Sequence, residues 1–323
     1  MYSLFIKGGV SVFNYLPAAL TTGVILENGG TDAPNSVSSC VASGVLTPKK
    51  AVLLAATCNF IGALISGLFF PKVAKTVSEL SGLSQSPTPL FTLTAAMLAV
   101  LIWTGLAWIF SIPTSESHAL LAAIGGAVGV GMSAWTAMLA VAAASVAAGW
   151  LGGAAADRLF RKNGIKEKNL GKAQIILAGA SAVLHGAQDG QKFMCVLSYC
   201  LFSSAQKLPL PIVFWVGGVL ALGTALCGKR MLGLAENLGI CDRYGGLAAD
   251  AGGTVILLVS TLLGLPVSTT HVKTAAAAGA GEKSKEKKGT VLRLCAAWAL
   301  TFPACALLAR GIIFLGELIF RLA

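Results

Sequence analysis

Long apolar stretches recur along all 323 residues of the chain, and they limit its possible folds more than any other feature. Examples lie at 51–70, 90–111, 135–156 and 211–227. A helix of about 20 apolar residues crosses the hydrocarbon core of a bilayer, so each stretch is close to the length of a membrane span. Only 11% of the residues are charged and the mean hydropathy is +0.78, which excludes soluble enzymes and disordered chains. We therefore predict an all-α polytopic membrane protein that is not an enzyme.

The positive charges lie in a few loops, which predicts the orientation of the chain in the membrane. Sixteen of the 24 Lys and Arg residues lie near residue 49 and within 158–172, 229–243 and 283–293. Counting the crossings places these segments on one face. Because short basic loops stay in the cytoplasm, we expect this face to be the cytoplasmic side of the cell membrane. The net charge of +11 then fits a lipid bilayer as partner, and not a nucleic acid.

Neither the cysteines nor the N-terminal run indicates a secreted protein. The eight cysteines show no CxxC spacing and most lie in apolar runs, so we expect no disulfides and no cysteine metal site. The first apolar run extends from Lys7 to Glu27 without a small-residue cleavage site. It is predicted to be a retained first helix and not a signal peptide.

Two polar motifs occur twice, in the same order and at nearly the same interval. Gly-Gly-Thr-Asp-Ala-Pro-Asn-Ser at 29–36 interrupts an apolar stretch, as does His-Gly-Ala-Gln-Asp-Gly-Gln-Lys at 185–192, and their aspartates are 157 residues apart. Pro-Thr-Ser-Glu-Ser-His at 113–118 recurs 153 residues later as Pro-Val-Ser-Thr-Thr-His at 266–271. Paired repeats of this kind are typical of secondary transporters.

The repeated motifs divide the chain into two transmembrane halves. We predict a first repeat over 1–157, a basic cytoplasmic linker over 158–172 and a second repeat over 173–323. Three crossings separate the interrupted segments of the two halves. The halves therefore enter the membrane from opposite sides, which makes them inverted repeats.

Each repeat is predicted to contain one broken helix, at 8–46 and 171–204, and one re-entrant helical hairpin, at 90–131 and 245–281. The returning arm of each hairpin is too short for a full crossing, which places its tip near the middle of the membrane. Non-helical backbone at that depth has to be buried in protein or line a watery cavity. The four interruptions therefore predict one enclosed polar site.

The predicted hairpin tips combine two kinds of donor for an anion. The start of a helix directs unpaired N–H groups and the positive end of its dipole at a ligand. Hydroxyl groups at the same places come from Ser115, Ser117, Ser268, Thr269 and Thr270. This set suits a small tetrahedral oxyanion such as phosphate, although Ser and Thr are also common helix caps.

Asp32 and Asp189 are predicted to be functional, because a carboxylate inside a membrane is costly. Each could accept a hydrogen bond from a protonated oxyanion, or coordinate a coupling cation together with backbone carbonyls. The first role favours phosphate over sulfate, since phosphate carries a proton near neutral pH. A bound cation would weaken that selectivity.

These motifs, together with Gly-Thr-Ala-Leu-Cys-Gly-Lys-Arg at 223–230 and Trp-Ala-Leu-Thr-Phe-Pro at 298–303, resemble the inorganic phosphate transporter (PiT) family over nearly the whole chain. The resemblance implies a secondary transporter that carries inorganic phosphate by symport with Na⁺ or H⁺ and uses no cofactor. Some bacterial members carry sulfate. The chain has no GxxxxGK[ST] motif, so we expect an ion gradient and not ATP to drive transport. The resemblance leaves open whether the protein forms a homodimer.

The resemblance also implies a substrate site built from both interrupted helices and both tips. Its residues, matched by motif position, are Asp32, Asn35, Ser36, Ser115, Ser117, Asp189, Gln191, Ser268, Thr269 and Thr270. The candidates for the coupling ion are Asp32, Asp189 and Glu116, with Na⁺ near the two aspartates. Glu116 departs from the family, which has a small and usually hydroxyl-bearing residue there. We expect this glutamate to be protonated or turned away from the anion, and to make coupling more proton-like.

Other polar residues in the apolar segments have structural alternatives. His118, His185 and His271 are expected to hold their segments by hydrogen bonds. Lys192 could neutralise the anion or pair with Asp189, and Lys273 could extend to the membrane surface.

Three other functions remain open at this point. One is a permease for sulfate or another small oxyanion. A second is an uncoupled anion channel that uses the same half-helix dipoles. A third is a membrane-embedded enzyme or receptor, although no nucleophile and base are suggestively spaced.

Overall fold

The computed structural model describes residues 15–83, 86, 88–109, 114–164, 167–202, 208–233, 237–240, 242–281 and 285–322. These residues form helices joined by short turns, and none of them is in a β-strand. The helices are α1 (Leu16–Thr31), α2 (Ser38–Ala42), α3 (Pro48–Phe69), α4 (Lys72–Ser81), α5 (Pro89–Ile109), α6 (Glu116–Val128), α7 (Met132–Asn163), α8 (Glu167–Phe202), α9 (Leu210–Cys227), α10 (Arg243–Leu263), α11 (Thr269–Ala280) and α12 (Lys285–Leu322). The N-terminal run before Tyr15, on which the prediction of a retained first helix rests, lies outside the described residues.

Six helical segments in this part of the chain are long and apolar enough to cross a membrane. They are Pro48–Phe69, Pro89–Ile109, Met132–Asn163, Leu210–Met231, Arg243–Leu263 and Lys287–Ile319. Large apolar side chains such as Leu53 and Leu307 remain exposed on these segments, as lipid-facing residues do. The prediction of an all-α polytopic membrane protein is confirmed.

The helices pack in three groups, and each group combines helices from both repeats. The central group contains α1, α3, α8 and α9. One flanking group contains α5, α6 and α12, and the other contains α7, α10 and α11. The motif spacing pairs α1 with α8, α5 with α10 and α6 with α11. Exchanging the repeats therefore maps the central group onto itself and one flanking group onto the other.

Glycines bring the central helices into direct backbone contact, and they do so twice by the same arrangement. A Cβ on Gly29 would overlap the carbonyl oxygen of Leu220, where α1 crosses α9. A Cβ on Gly186, 157 residues later, would overlap the carbonyl oxygen of Asn59, where α8 crosses α3. Small residues permit this close approach in membranes, where packing drives the association of helices. The first helix of each repeat is thus fixed against the other repeat.

The first predicted helix break is present, at the residues that follow Asp32. After α1 the backbone forms a 3₁₀ turn at Ala33–Ser36 and then the short helix α2. Pro34 explains the break, because proline has no N–H to continue an α-helix and its ring clashes with the preceding turn.

The predicted break in the second repeat is wrong. α8 continues as one helix from Glu167 to Phe202, straight through Asp189. The position 157 residues after Pro34 holds Gln191, which has the backbone N–H that an α-helix needs. The two motifs are therefore related in sequence, but only the motif with proline interrupts its helix.

The two hairpin motifs form helix pairs, α5 with α6 and α10 with α11. The second helix of each pair is short, with 13 residues in α6 and 12 in α11. Ser115 caps the start of α6 and Ser268 caps the start of α11. The first tip includes 110–113, which lie outside the described residues. Whether the pairs enter and leave on one side of the membrane stays a prediction.

Helical ends occupy much of the segment predicted as a linker. α7 continues to Asn163 and α8 begins at Glu167, so the described part of 158–172 extends both helices. Helix α4, which buries Val73, Ala74 and Val77, is not predicted from the sequence. The helix ends at Gly82, whose φ of 63° lies in the left-handed region that favours glycine.

We expect Gly223→Ala to destabilise the protein by about 1–3 kcal/mol, because the new methyl group would overlap the carbonyl oxygen of Leu26. Gly218→Ala is the matched control in the same helix, since a Cβ there meets no atom within 4 Å. Thermal unfolding in detergent checks the difference. Equal melting temperatures for the two variants would show that the α1–α9 backbone contact is not needed.

Candidate functional site

The starts of the two short helices meet inside the protein, where Ser115 and Ser268 are buried. The Ser268 hydroxyl donates a hydrogen bond to Ser115 Oγ over 2.6 Å. Each serine also accepts a bond from a backbone N–H of its own helix, Ser115 from His118 and Ser268 from His271. Ser115 and Ser268 are 153 residues apart, so this contact joins corresponding positions of the two repeated motifs. The predicted capping role therefore coexists with direct contact between the two tips.

A pair of buried histidines lies behind the two caps. The rings of His118 and His271 are 4.2 Å apart and meet edge to face. Trp298 packs on His271 and Phe302 packs on His118. Both aromatic residues belong to the Trp-Ala-Leu-Thr-Phe-Pro motif of α12, one of the motifs on which the resemblance rests. Within the described residues, the two histidine side chains thus hold the tips by aromatic packing, and not by the hydrogen bonds that we expected of their rings.

Three carboxylates converge on the side-chain amide of Asn28. Its Nδ2 lies 3.3 Å from Asp32, 3.4 Å from Glu116 and 3.2 Å from Asp189. All four side chains are buried. An amide nitrogen has only two N–H donors, so it cannot fully satisfy three carboxylate oxygens. This carboxylate cluster, Asp32, Glu116 and Asp189, joins the coupling-ion candidates that the sequence analysis proposed.

Glu116 faces the cluster and does not turn away from it. The Thr31 hydroxyl lies within hydrogen-bond distance of Glu116 Oε1 and of the backbone oxygen of Glu27, and its single hydrogen can be donated to either. Thr31 therefore contacts the residue that stands where the resemblance implies a small side chain.

Asp189 forms an ion pair with a lysine, whereas Asp32 has no such partner among the described residues. Lys192 Nζ lies 2.7 Å from Asp189 Oδ1 in a buried ion pair. Ser117 donates to the same oxygen over 2.9 Å, and Thr269 donates to Oδ2 over 3.2 Å. His185 lies on the Oδ2 side at 3.3 Å while its other ring nitrogen meets Asn59. Of the two roles considered for Lys192, the structure therefore shows pairing with Asp189.

Two hydrogen bonds that join the repeats occur at corresponding positions. Asn35 Nδ2 donates to Thr270 Oγ1 over 3.2 Å. Lys192, 157 residues after Asn35, donates to Ser117 Oγ over 2.8 Å, and Ser117 precedes Thr270 by 153 residues. The structure thus brings together eight of the ten predicted substrate residues, which are Asp32, Asn35, Ser115, Ser117, Asp189, Ser268, Thr269 and Thr270.

Ser36 and Gln191 have their polar groups engaged elsewhere. The Ser36 hydroxyl donates to the backbone oxygen of Ala33, inside the 3₁₀ turn. Gln191 Oε1 accepts from the backbone N–H groups of Val73 and Ala74, at 3.0 and 3.2 Å, and so caps the start of α4. The Gln191 amide nitrogen bonds to its own helix. These contacts give both residues structural tasks.

A second polar cluster lies beside the first and was largely missed. Lys273 Nζ is 2.6 Å from Asp250, and both side chains are buried. The Ser39 hydroxyl lies 2.7 Å from both oxygens of the same carboxylate. A cavity next to this pair is also lined by Asn35, which links the two clusters. Lys273 therefore pairs inside the protein and does not extend to the membrane surface.

Na⁺ at this site would need ligands beyond carboxylates. In the described part of the chain, no three His, Cys, Asp or Glu side chains are arranged to hold a metal ion. Amide, hydroxyl and backbone oxygens are close by, and transporters commonly use such oxygens for their coupling ions. Asn28 Oδ1 and Asn35 Oδ1 are buried and have no hydrogen-bond partner in the part of the chain that the structure describes. Both are suitable oxygen ligands.

The fold and the enclosed polar site between two structural repeats define a membrane transporter of the repeat-built class. A sequence profile described as "Phosphate transporter family" matches residues 28–165 and 154–309. The chain therefore belongs to the phosphate transporter family, which confirms the resemblance.

Relatives match the chain over nearly its whole length. A protein named "Probable low-affinity inorganic phosphate transporter" from Rhizobium meliloti is 32% identical over 90% of this chain and 93% of its own length. A protein of the same name from Bacillus subtilis is 28% identical over 91% of this chain and 94% of its own. A solved structure titled "The sodium-dependent phosphate transporter" has the same fold, with a TM-score of 0.81 at 17% identity. That match covers 96% of this chain and all of the other.

Gln191→Leu should lower stability by about 1–3 kcal/mol, because it leaves two buried N–H groups of α4 without an acceptor. If Gln191 only caps α4, the apparent KM for phosphate of the folded fraction stays unchanged. Gln191→Glu is the control, since it keeps an acceptor oxygen for both N–H groups and should be more stable than the leucine variant. A raised KM in the leucine variant at normal stability would instead make Gln191 a substrate ligand.

Proposed function

We propose that this protein transports inorganic phosphate across the cell membrane by symport with a cation, either Na⁺ or H⁺, and that it works by alternating access through the central site. Membership of the phosphate transporter family and the names of its relatives support the substrate. The basic loops would face the cytoplasm.

The convergence of three carboxylates on Asn28 carries the proposal of cation coupling. The ammonium of Lys192 offsets one of these charges through its bond to Asp189. Among the described residues, no Lys or Arg side chain forms an ion pair with Asp32 or Glu116. Two further buried negative charges a few ångströms apart would repel strongly in a medium of low dielectric. A bound cation or proton reduces this repulsion between the carboxylates, so we expect the site to take up a coupling ion.

The meeting point of the two helix starts supports phosphate as the anion. The first turns of α6 and α11 have N–H groups without a carbonyl partner in their own helix, and the positive ends of both helix dipoles face each other where Ser115 meets Ser268. The hydroxyls of Ser117, Thr269 and Thr270 are at the same place. A carboxylate there accepts a hydrogen bond from the proton of hydrogen phosphate. Sulfate has no such proton near neutral pH.

Uptake of labelled phosphate into proteoliposomes, with Na⁺ and pH gradients imposed separately, tests the proposal. Coupled symport predicts accumulation above equilibrium when one of the gradients is present and none when both are absent. Competition by excess sulfate separates the two oxyanions: stronger competition by sulfate than by unlabelled phosphate would favour a sulfate permease. Currents that reverse independently of both gradients would indicate an anion channel.

Asp32→Asn should reduce gradient-driven phosphate uptake to the level of empty vesicles, because it removes the carboxylate that has no Lys or Arg partner in the described structure. Asp189→Asn should do the same. Glu79→Gln is the control, since Glu79 is an exposed carboxylate on α4 and should transport normally. Full uptake by the Asp32 variant would exclude that residue from coupling.

Glu116→Thr should change the pH dependence of uptake, because it removes a titratable group from the cluster and introduces the hydroxyl type that is usual in the family. If Glu116 carries the coupling proton, uptake driven by a pH gradient falls and the dependence on pH between 5 and 8 flattens. Uptake rates across that range measure the effect. An unchanged profile with an unchanged rate would refute the role of Glu116.

A further inference from the structure

Lys192 is held by oxygen atoms alone, in the way that a bound metal cation would be. Its Nζ lies 2.7 Å from a carboxylate oxygen of Asp189, 2.8 Å from the Ser117 hydroxyl and 2.6 Å from the backbone oxygen of Val267. The side chain has no exposed surface. Carboxylate, hydroxyl and carbonyl oxygens are the ligands that hard cations take in proteins.

We propose that the ammonium group of Lys192 permanently occupies the cation position of the second repeat, so that the mobile coupling cation binds on the side of the first repeat. This inference rests on the proposed function. It assigns the two repeats different tasks, although their motifs correspond residue by residue.

The equivalent position in the first repeat has similar oxygens but no fixed charge. Asp32 takes the place of Asp189, Thr270 that of Ser117, and Asn35 that of Lys192. Asn35 Oδ1 is buried and has no hydrogen-bond partner among the described residues, and the Asn35 amide is neutral. This half-site therefore offers carboxylate, amide and hydroxyl oxygens to a cation that can come and go.

The ammonium has no donor left for the transported anion. A Lys ammonium has three N–H donors, and here they face Asp189, Ser117 and Val267. The structure therefore favours neutralisation of the Asp189 carboxylate by Lys192 over direct neutralisation of phosphate. Separating a buried ion pair leaves an uncompensated charge inside the protein, which is strongly destabilising. Lys192 is therefore expected to stay next to Asp189.

The different backbones of the two repeats fit this division. Lys192 follows Asp189 by three residues on the uninterrupted helix α8, which keeps the ammonium next to the carboxylate. In the first repeat the chain leaves the α-helix at Asp32, so Asn35 lies in a 3₁₀ turn. An interrupted backbone with free oxygens is the usual setting for an exchangeable ion.

Lys192→Asn places in the second repeat the residue that the first repeat has, and it tests the inference without measuring transport. We expect the purified variant, in the absence of phosphate, to gain about 5 °C or more in melting temperature when saturating Na⁺ replaces choline, beyond any gain of the wild type. Binding of radioactive ²²Na⁺ should rise by one ion per chain. The Asp189→Asn, Lys192→Asn double variant should lose both effects.

Lys273→Asn is the matched control, because it removes the other buried lysine and leaves Asp250 behind. The proposal fails if this control gains the same Na⁺ response, since exposing any buried carboxylate would then suffice. It also fails if the Lys192 variant responds to Na⁺ no more than the wild type does.

The converse variant, Asn35→Lys, covers the case in which Lys192→Asn does not fold. Placing an ammonium in the first half-site should abolish the Na⁺ response and ²²Na⁺ binding of the wild type, or its proton-driven uptake if H⁺ is the coupling ion. Unchanged coupling in this variant would overturn the inference. A Na⁺ response of the Lys192 variant without any phosphate uptake by the wild type would instead preserve the inference and refute the proposed function.

Discussion

Lipid offers no hydrogen bonds, so each interrupted stretch of backbone in this chain has to find its partners inside the protein. The starts of α6 and α11 do so by meeting at the bond between Ser115 and Ser268. The 3₁₀ turn after Asp32 joins them through the bond of Asn35 to Thr270. Once these polar elements share one place, the buried carboxylates have to share it too. The same requirement thus encloses the site and brings negatively charged side chains close enough to repel one another.

Much of this arrangement can be predicted from the sequence, because hydropathy and repeated motifs report directly on helices and their interruptions. The break after Asp32 and the capping by Ser115 and Ser268 follow from proline and serine chemistry. The predicted break at Asp189 is wrong because motif similarity was treated as backbone similarity. One substitution decides the difference: Pro34 interrupts its helix, and Gln191 continues its own.

The site itself was predicted less completely, since contacts between distant segments leave little trace in a single sequence. Asn28 was missed although it lies four residues before Asp32, as His185 lies four before Asp189, and that shared spacing was a usable signal. The contact of Gln191 with α4 could not be found in this way, because α4 itself was not predicted. The pairing of Lys273 with Asp250 depends on the packing of α11 against α10, which no local pattern encodes.

The mixed composition of the three helix groups has a consequence for how the protein is made. α1 contacts α9 through glycines and backbone oxygens, and α6 packs on α12, although the ribosome produces these partners far apart in time. The first half therefore enters the bilayer with its contact surfaces uncovered, and it cannot reach its final packing until the second half is synthesised. Chains that stop after the first half should be substrates for membrane quality control, and the two halves should fold as one cooperative unit.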